Sequence, residues 1–79
     1  MRTFRNVWGQ RIREARRAAG HTQASFALAV GVDQAVVSRW ERGLLIPRDD
    51  RRPLIAQLLG VAPEVLFSYD GTNGGTEAA

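Results

Sequence analysis

TQASFALAVGVDQAVVSRWE, at residues 22–41, has the pattern of two short helices joined by a tight turn. Thr22 is a good N-cap for the first helix, Gly31 permits the turn, and Asp33 is a good N-cap for the second helix. The second helix is predicted over about 33–42. Apolar residues on the inward faces and in the turn are Phe26, Ala27, Val30, Val32, Val37 and Trp40. This stretch therefore predicts a helix-turn-helix unit whose corner is filled by apolar side chains.

Four outward residues of the second helix suit contact with DNA. Gln34 and Ser38 are four positions apart and share a helix face, as do Ala35 and Arg39. A helix fits the major groove, which is roughly 12 Å wide, and arginine and glutamine can bond guanine and adenine bidentately. We expect these four residues to read bases; the alternative for Arg39 is a solvated side chain.

The flanking sequence predicts three more helices. The N-terminal helix is predicted over about 4–19 and ends before Gly20, because apolar residues recur on one face. These residues are Trp8, Ile12, Ala15 and Ala19. The fourth helix is predicted to have Asp49 or Asp50 as N-cap, with Pro53 in its first turn and Gly60 at its end. Its predicted apolar set is Leu54, Ile55, Leu58 and Leu59.

A short fifth helix is predicted from Pro63 onward, because proline favours the first position of a helix. Its predicted packing residues are Val65, Leu66 and Phe67. The fold class is therefore all-α, a compact bundle of five short helices. We expect one domain over 1–69 and a disordered tail over 70–79, where no residues could form a core.

Composition and charge restrict the possible functions. The 79 residues contain no cysteine and one histidine, so disulfides are excluded and a structural zinc site is not expected. No nucleophilic cysteine, phosphate-binding glycine loop or metal-ligand cluster points to an enzyme, a metal or a cofactor. No apolar run is long enough to span a membrane. Residues 1–52 hold all 11 arginines and five acids, a net charge of +6, which is equally typical of a surface that faces a polyanion and of a solvated helix surface.

The run from Trp8 to Phe67 resembles the helix-turn-helix domain of the phage Cro and repressor type, the XRE family, with its lambda-repressor-like fold. The motifs that carry the resemblance are Arg11-Ile12-Arg13, Gly20-His21-Thr22-Gln23, Phe26-Ala27, Gly31-Val32, Ser38-Arg39-Trp40-Glu41-Arg42-Gly43, Pro47 and Leu59-Gly60-Val61. They occur in the family's order and at its spacing over about three-quarters of the chain.

The resemblance implies a sequence-specific transcriptional regulator, Cro-like or a small phage or plasmid repressor, located in the cytoplasm with the nucleoid. It implies base-reading roles for Gln34, Ala35, Ser38 and Arg39 on the helix predicted over about 33–42, which is the third helix along the chain. Phosphate contacts are implied for Thr22, Gln23, Arg42 and Gly43. It further implies an ion pair between Arg16 and Glu41 that ties the first helix to the third.

The sequence departs from the family in the segment after the third helix. Apolar residues Leu44, Leu45 and Ile46 replace a usually polar loop, and Asp49, Arg52 and Pro53 stand where the family has apolar residues. We expect the loop to form a dimer or partner surface, unless it folds back over its own core. The expected partners are double-stranded DNA and a second copy of the chain. The alternative is an antitoxin-type module that binds a toxin and represses its own operon.

Overall fold

The computed structural model describes residues 3–69 of the chain, and this part contains five α-helices. The helices are α1 (Phe4–Ala18), α2 (Gln23–Val30), α3 (Gln34–Glu41), α4 (Arg52–Leu59) and α5 (Pro63–Phe67). No strand occurs within these residues, and the expectation of an all-α fold with five helices is confirmed. The tail predicted over 70–79 lies outside the described residues.

The apolar core lies where α1, α2 and α3 meet α4 and α5. Trp8 of α1, Phe26 of α2 and Val37 of α3 are at most 1% exposed, and Trp40 is also buried. The Trp8 ring meets Phe67 edge to face at 5.3 Å between centroids, which joins the first helix to the last. Both tryptophans are therefore core residues, as the sequence predicts, and their inward position leaves them unavailable for stacking on bases.

The turn between α2 and α3 follows from its capping residues. Thr22 Oγ1 accepts a hydrogen bond from the Ser25 amide, while Ser25 Oγ accepts one from the Thr22 amide, each at 3.0 Å. Gly31 ends α2 with φ of +90°, a conformation that favours glycine. Asp33 stands at the N-cap of α3, but its side chain makes no capping hydrogen bond. Therefore α3 is positioned by its buried face rather than by its cap.

The predicted start of α4 is wrong. The N-cap is Arg51, not Asp49 or Asp50. Asp49 Oδ1 binds Arg52 at 2.7 Å, and Asp50 pairs with Arg48 at 3.6 Å, so both carboxylates are engaged by arginines instead of by the helix amides. Arginines within three residues thus supply alternative partners for both carboxylates.

Arg52 occupies a position where the resembled family has an apolar residue, and its contacts explain how a charged residue is accommodated. Its guanidinium lies over the Trp8 ring, 4.8 Å from the ring centroid, and its Nε donates to Pro47 O at 2.9 Å. The flat guanidinium thus covers the edge of the core while keeping hydrogen-bond partners.

Three predicted core residues lie at the surface. Leu54 is 38% exposed and Val65 is 56% exposed, while Ala19 is the C-cap of α1 and is exposed. In α4 the buried face runs through Ile55, Ala56 and Leu59, which displaces Leu54 to the rim. The prediction missed Ala56, because alanine is a weak signal in a hydrophobic pattern.

Gly9 allows the backbones of α1 and α3 to approach closely. A Cβ built at Gly9 would clash with Trp40 O and would lie 2.7 Å from Glu41 O, closer than real Cβ contacts. Both atoms belong to backbone, so they cannot move aside as a flexible side chain would. The crossing of α1 over the end of α3 therefore requires glycine at this position.

We predict that Gly9→Ala destabilises the fold. Helix propensity alone would make this change stabilising by about 0.5–1 kcal/mol. Overpacking against backbone reverses that sign, and we expect a net loss of at least ~1–3 kcal/mol in the free energy of unfolding, measured by urea denaturation.

The matched control is Ala18→Gly, at an exposed position of the same helix. It should destabilise the fold by no more than about 1 kcal/mol, the propensity difference itself. A Gly9→Ala protein as stable as the wild type would contradict the close approach.

Candidate nucleic-acid interface

The outward face of α3 carries the four residues predicted to read bases. Gln34, Ala35 and Arg39 are exposed, and Ser38 is half-buried. The opposite face of α3 is anchored by Val37 and Trp40, which are buried in the core. The structure therefore brings the four predicted residues together on one accessible face of a short helix. Such a helix has the dimensions of an element that enters a major groove.

Gln34, the first residue of this face, is held by a residue of α2. Gln34 Nε2 lies 3.4 Å from Gln23 Oε1, and Gln23 Nε2 donates to Glu41 Oε1 at 3.0 Å. The Gln23 amide therefore accepts on one side and donates on the other. This chain of amides restricts the orientations open to the Gln34 side chain before any ligand binds.

The Glu41 carboxylate is the point where α1, α2 and α3 are joined. Its side chain is fully buried, and it accepts from Arg16 Nε at 2.6 Å and from Arg16 Nη2 at 3.1 Å. Arg13 Nε lies 3.4 Å from the same carboxylate. Arg16 Nη1 also donates to His21 O at 2.9 Å, which fixes the linker before α2. The bidentate geometry makes Arg16 the strongest of these partners.

The electrostatics of Glu41 reflect two opposing effects. Burial raises the pKa of a carboxyl group, because the charged form loses its hydration. The hydrogen bonds from Arg16, Gln23 and Arg13, together with the positive charge of Arg16, favour the carboxylate and outweigh burial. The net result is a pKa of Glu41 below its ordinary value of 4.5.

The residues predicted to contact phosphate lie at the ends of the two helices. Thr22 is exposed at the N-cap of α2, and Arg42 is exposed at the C-cap of α3. Gln23 is half-buried, because it bridges to Glu41. Gly43 has φ of +74°, and its amide already donates to Trp40 O at 3.1 Å. The side chain of Arg42 is thus more available for a phosphate contact than the amide of Gly43.

The loop after α3 is apolar and only partly exposed. Leu44 is 60% exposed and Leu45 is 42% exposed, whereas Ile46 packs against the core. Of the three residues predicted to form a partner surface, Ile46 is therefore the half-buried one, and its neighbour Pro47 is buried. Leu44 and Leu45 are left as the exposed part of this surface.

Sequence reasoning missed three residues that position the interface. Gly9 sets the crossing of α1 and α3, and a glycine inside a predicted helix was a signal for it. Arg13 adds a further donor to Glu41. Arg11 Nη1 donates to Leu66 O at 3.3 Å and to Ser68 O at 3.2 Å, which holds the end of α5 on α1. The Arg11 and Arg13 contacts join distant parts of the chain and left no local pattern.

No group of three or more His, Cys, Asp or Glu side chains within residues 3–69 could hold a metal ion. No helix in this part of the chain is both long enough and apolar enough to cross a membrane.

Comparison with known proteins places this arrangement among DNA-binding regulators. A helix-turn-helix family matches residues 12–66. An uncharacterised HTH-type transcriptional regulator of Bacillus subtilis, YazB, is 42% identical over 41 residues. That match covers 52% of this chain and 59% of the relative, so it spans less than two-thirds of YazB.

Two solved structures share the fold. The restriction-modification controller protein C.AhdI from Aeromonas hydrophila is 34% identical, with a TM-score of 0.72, over 78% of this chain and 90% of that chain. The P22 c2 repressor, solved in complex with a synthetic operator, is 30% identical. Its TM-score is 0.75, over 81% of this chain and 97% of that chain.

We predict that stability falls as the pH drops below about 4.5, in a manner that depends on Glu41. Because the pKa of Glu41 is lower in the folded state, the carboxylate adds stability above the unfolded pKa. That stability is lost as the pH falls through the folded pKa. In Glu41→Gln we expect a stability deficit at pH 7 that shrinks with acidification, measured by urea denaturation between pH 3 and pH 7.

The control is Glu64→Gln, which removes an exposed carboxylate from α5 and should leave the acid dependence almost unchanged. If Glu41→Gln does not fold, the carboxyl-carbon chemical shift of Glu41 in the wild type gives the midpoint directly. A midpoint at or above 4.5 would contradict the account of the carboxylate.

Proposed function

Since this chain belongs to the helix-turn-helix family, we propose that it is a DNA-binding transcription regulator that inserts α3 into the major groove. The family and the fold are those of DNA-binding regulators and not of enzymes. The observation that carries the proposal is the outward face of α3, where Gln34 is positioned by Gln23 and, through it, by the buried Glu41.

The four residues of this face have distinct chemical roles in the proposal. Arg39 bonds a guanine edge bidentately, and Gln34 bonds an adenine edge. Ala35 contacts a thymine methyl group, and Ser38 hydrogen-bonds either kind of base. The N-terminal part of a recognition helix meets the bases in this class of protein, which favours Gln34 and Ala35 as central readers.

The ends of α2 and α3 fix the protein on the DNA backbone. Thr22 and Gln23 at the start of α2, and Arg42 and Gly43 after α3, meet phosphates on either side of the reading face. A helix N-terminus favours anions, because its amides and dipole point toward them. The net charge of +6 in residues 1–52 supports this orientation and steers the chain toward DNA.

The protein acts as a homodimer in this proposal, in the cytoplasm, where its DNA is. Leu44 and Leu45 are the exposed apolar residues next to α3 that a second copy would cover. A two-fold dimer places two recognition helices on half-sites about one helical turn apart. A toxin or another protein is the alternative occupant of this surface.

Selection from a random pool of duplex DNA tests the proposal. Several rounds of binding and sequencing should enrich a palindrome whose half-sites are about one turn apart. Arg39→Ala should relax one base position in each half-site, with a loss of about 1–3 kcal/mol in discrimination there.

Arg42→Ala is the matched control, because it removes the same charge from the end of the same helix. It should weaken binding to all sequences alike and leave the selected motif intact. Enrichment of a single unrepeated half-site would contradict the proposed homodimer. A wild-type protein that enriches no sequence at low salt would contradict the DNA-binding proposal itself.

A further inference from the structure

A polar cleft of about 420 Å³ lies between α1 and the end of α3, outside the reading face. Five of its lining residues come from α1, among them Arg13, Glu14 and Arg17. Glu41 and Arg42 line it from α3 and its C-cap. None of the α1 residues has a role in the base-reading proposal, so the cleft requires its own account.

The cleft carries an excess of positive charge. Glu41 is neutralised by the bidentate Arg16 pair, which leaves three lining arginines against the single carboxylate of Glu14. Within residues 3–69 the exposed Arg17 side chain forms no ion pair. Arg13 is 41% exposed and holds Glu41 through only one contact, at 3.4 Å. Its guanidinium can therefore turn toward an anion while Arg16 keeps Glu41 paired.

The cleft continues the proposed DNA interface. Arg42 lines the cleft, and it lies four residues after Ser38 and three after Arg39, spacings that place it on the same side of the chain as those two. Arg42 Nε lies 3.5 Å from Ser38 O. An anion in the cleft would therefore adjoin the C-terminal end of the reading face, where the DNA backbone passes if α3 occupies the major groove.

We propose that this cleft binds a backbone phosphate of the same DNA, with Arg17 and Arg13 as contacts from α1 and Arg42 as the link to α3. The inference rests on the proposed function. Arginine suits the task because its planar fork bonds two phosphate oxygens at once. Continuity with the reading face favours DNA over an acidic peptide, because the backbone of DNA bound at α3 would pass this edge of the cleft. The α1 contacts add affinity and carry no base preference.

The test measures how the affinity for the selected palindrome depends on salt, for the wild type and for Arg17→Ala. Each phosphate neutralised contributes about 0.9 to the slope of log affinity against log salt. We expect Arg17→Ala to lower the slope by about 0.9 per bound subunit. The affinity lost should accordingly be about threefold larger at 50 mM than at 200 mM salt for each subunit, while the selected motif stays unchanged.

Glu14→Gln is a second test, in which the affinity for DNA should change in the opposite direction. It removes the cleft carboxylate that accepts from Gln10 Nε2 at 3.2 Å and forms no ion pair within residues 3–69. The change should tighten binding by roughly twofold to threefold at low salt, where screening is weak. Glu64→Gln removes an exposed carboxylate from α5, remote from the cleft, and should leave the affinity unchanged.

The possible outcomes separate the two proposals. If the wild-type protein selects no DNA sequence, the proposed function is contradicted. A wild-type protein that binds its palindrome, with an unchanged slope in Arg17→Ala and an unchanged affinity in Glu14→Gln, overturns the cleft proposal alone. Opposite shifts in the two variants, with none in Glu64→Gln, support it.

Discussion

The rest of the structure depends on the buried carboxylate of Glu41. Its oxygens accept from Arg16 and Arg13 of α1 and from Gln23 of α2, so one side chain of α3 joins all three helices. A buried ion pair contributes little net stability, because desolvation of the charges offsets their attraction. Its value is directional: a misplaced α3 would leave a buried charge without partners, at a cost of several kcal/mol. The carboxylate therefore specifies the orientation of the reading helix more than it stabilises the fold.

Packing supplies the stability that this ion pair does not. Gly9 lets α1 touch the backbone of α3, and Trp8 fills the space between α1 and α5. Arg52 then covers the Trp8 ring at the rim of the core. In a chain of 79 residues, with no disulfide and no metal-binding cluster in its described part, these contacts are the means available for rigidity. The rigid scaffold matters because base reading requires side chains held in place before the DNA arrives.

The sequence predicted the helix-turn-helix unit well, because its signals are local. Thr22 and Gly31 act within a few residues of themselves, and the stripe of Phe26, Ala27 and Val30 repeats at helical spacing. It failed at α4, because Asp49 and Asp50 both have the side chain of a good N-cap, yet each pairs with an arginine two or three residues away and neither caps the helix. In the candidate site the face of α3 followed from helical spacing. The contact of Arg13 with Glu41 and the polar cleft between α1 and α3 both bring together distant parts of the chain, so no periodic pattern in the sequence indicated them.

Glu41 positions Gln34 through Gln23, so that the Gln34 side chain is oriented for base reading before DNA binds. A double-mutant cycle of Gln23→Ala and Gln34→Ala tests this most directly, with the affinity for the selected DNA as the readout. We predict non-additive losses, with a coupling energy above the roughly 0.3–0.5 kcal/mol seen for independent sites. Losses that add within that margin would mean that Gln34 acts without Gln23, and would contradict the account.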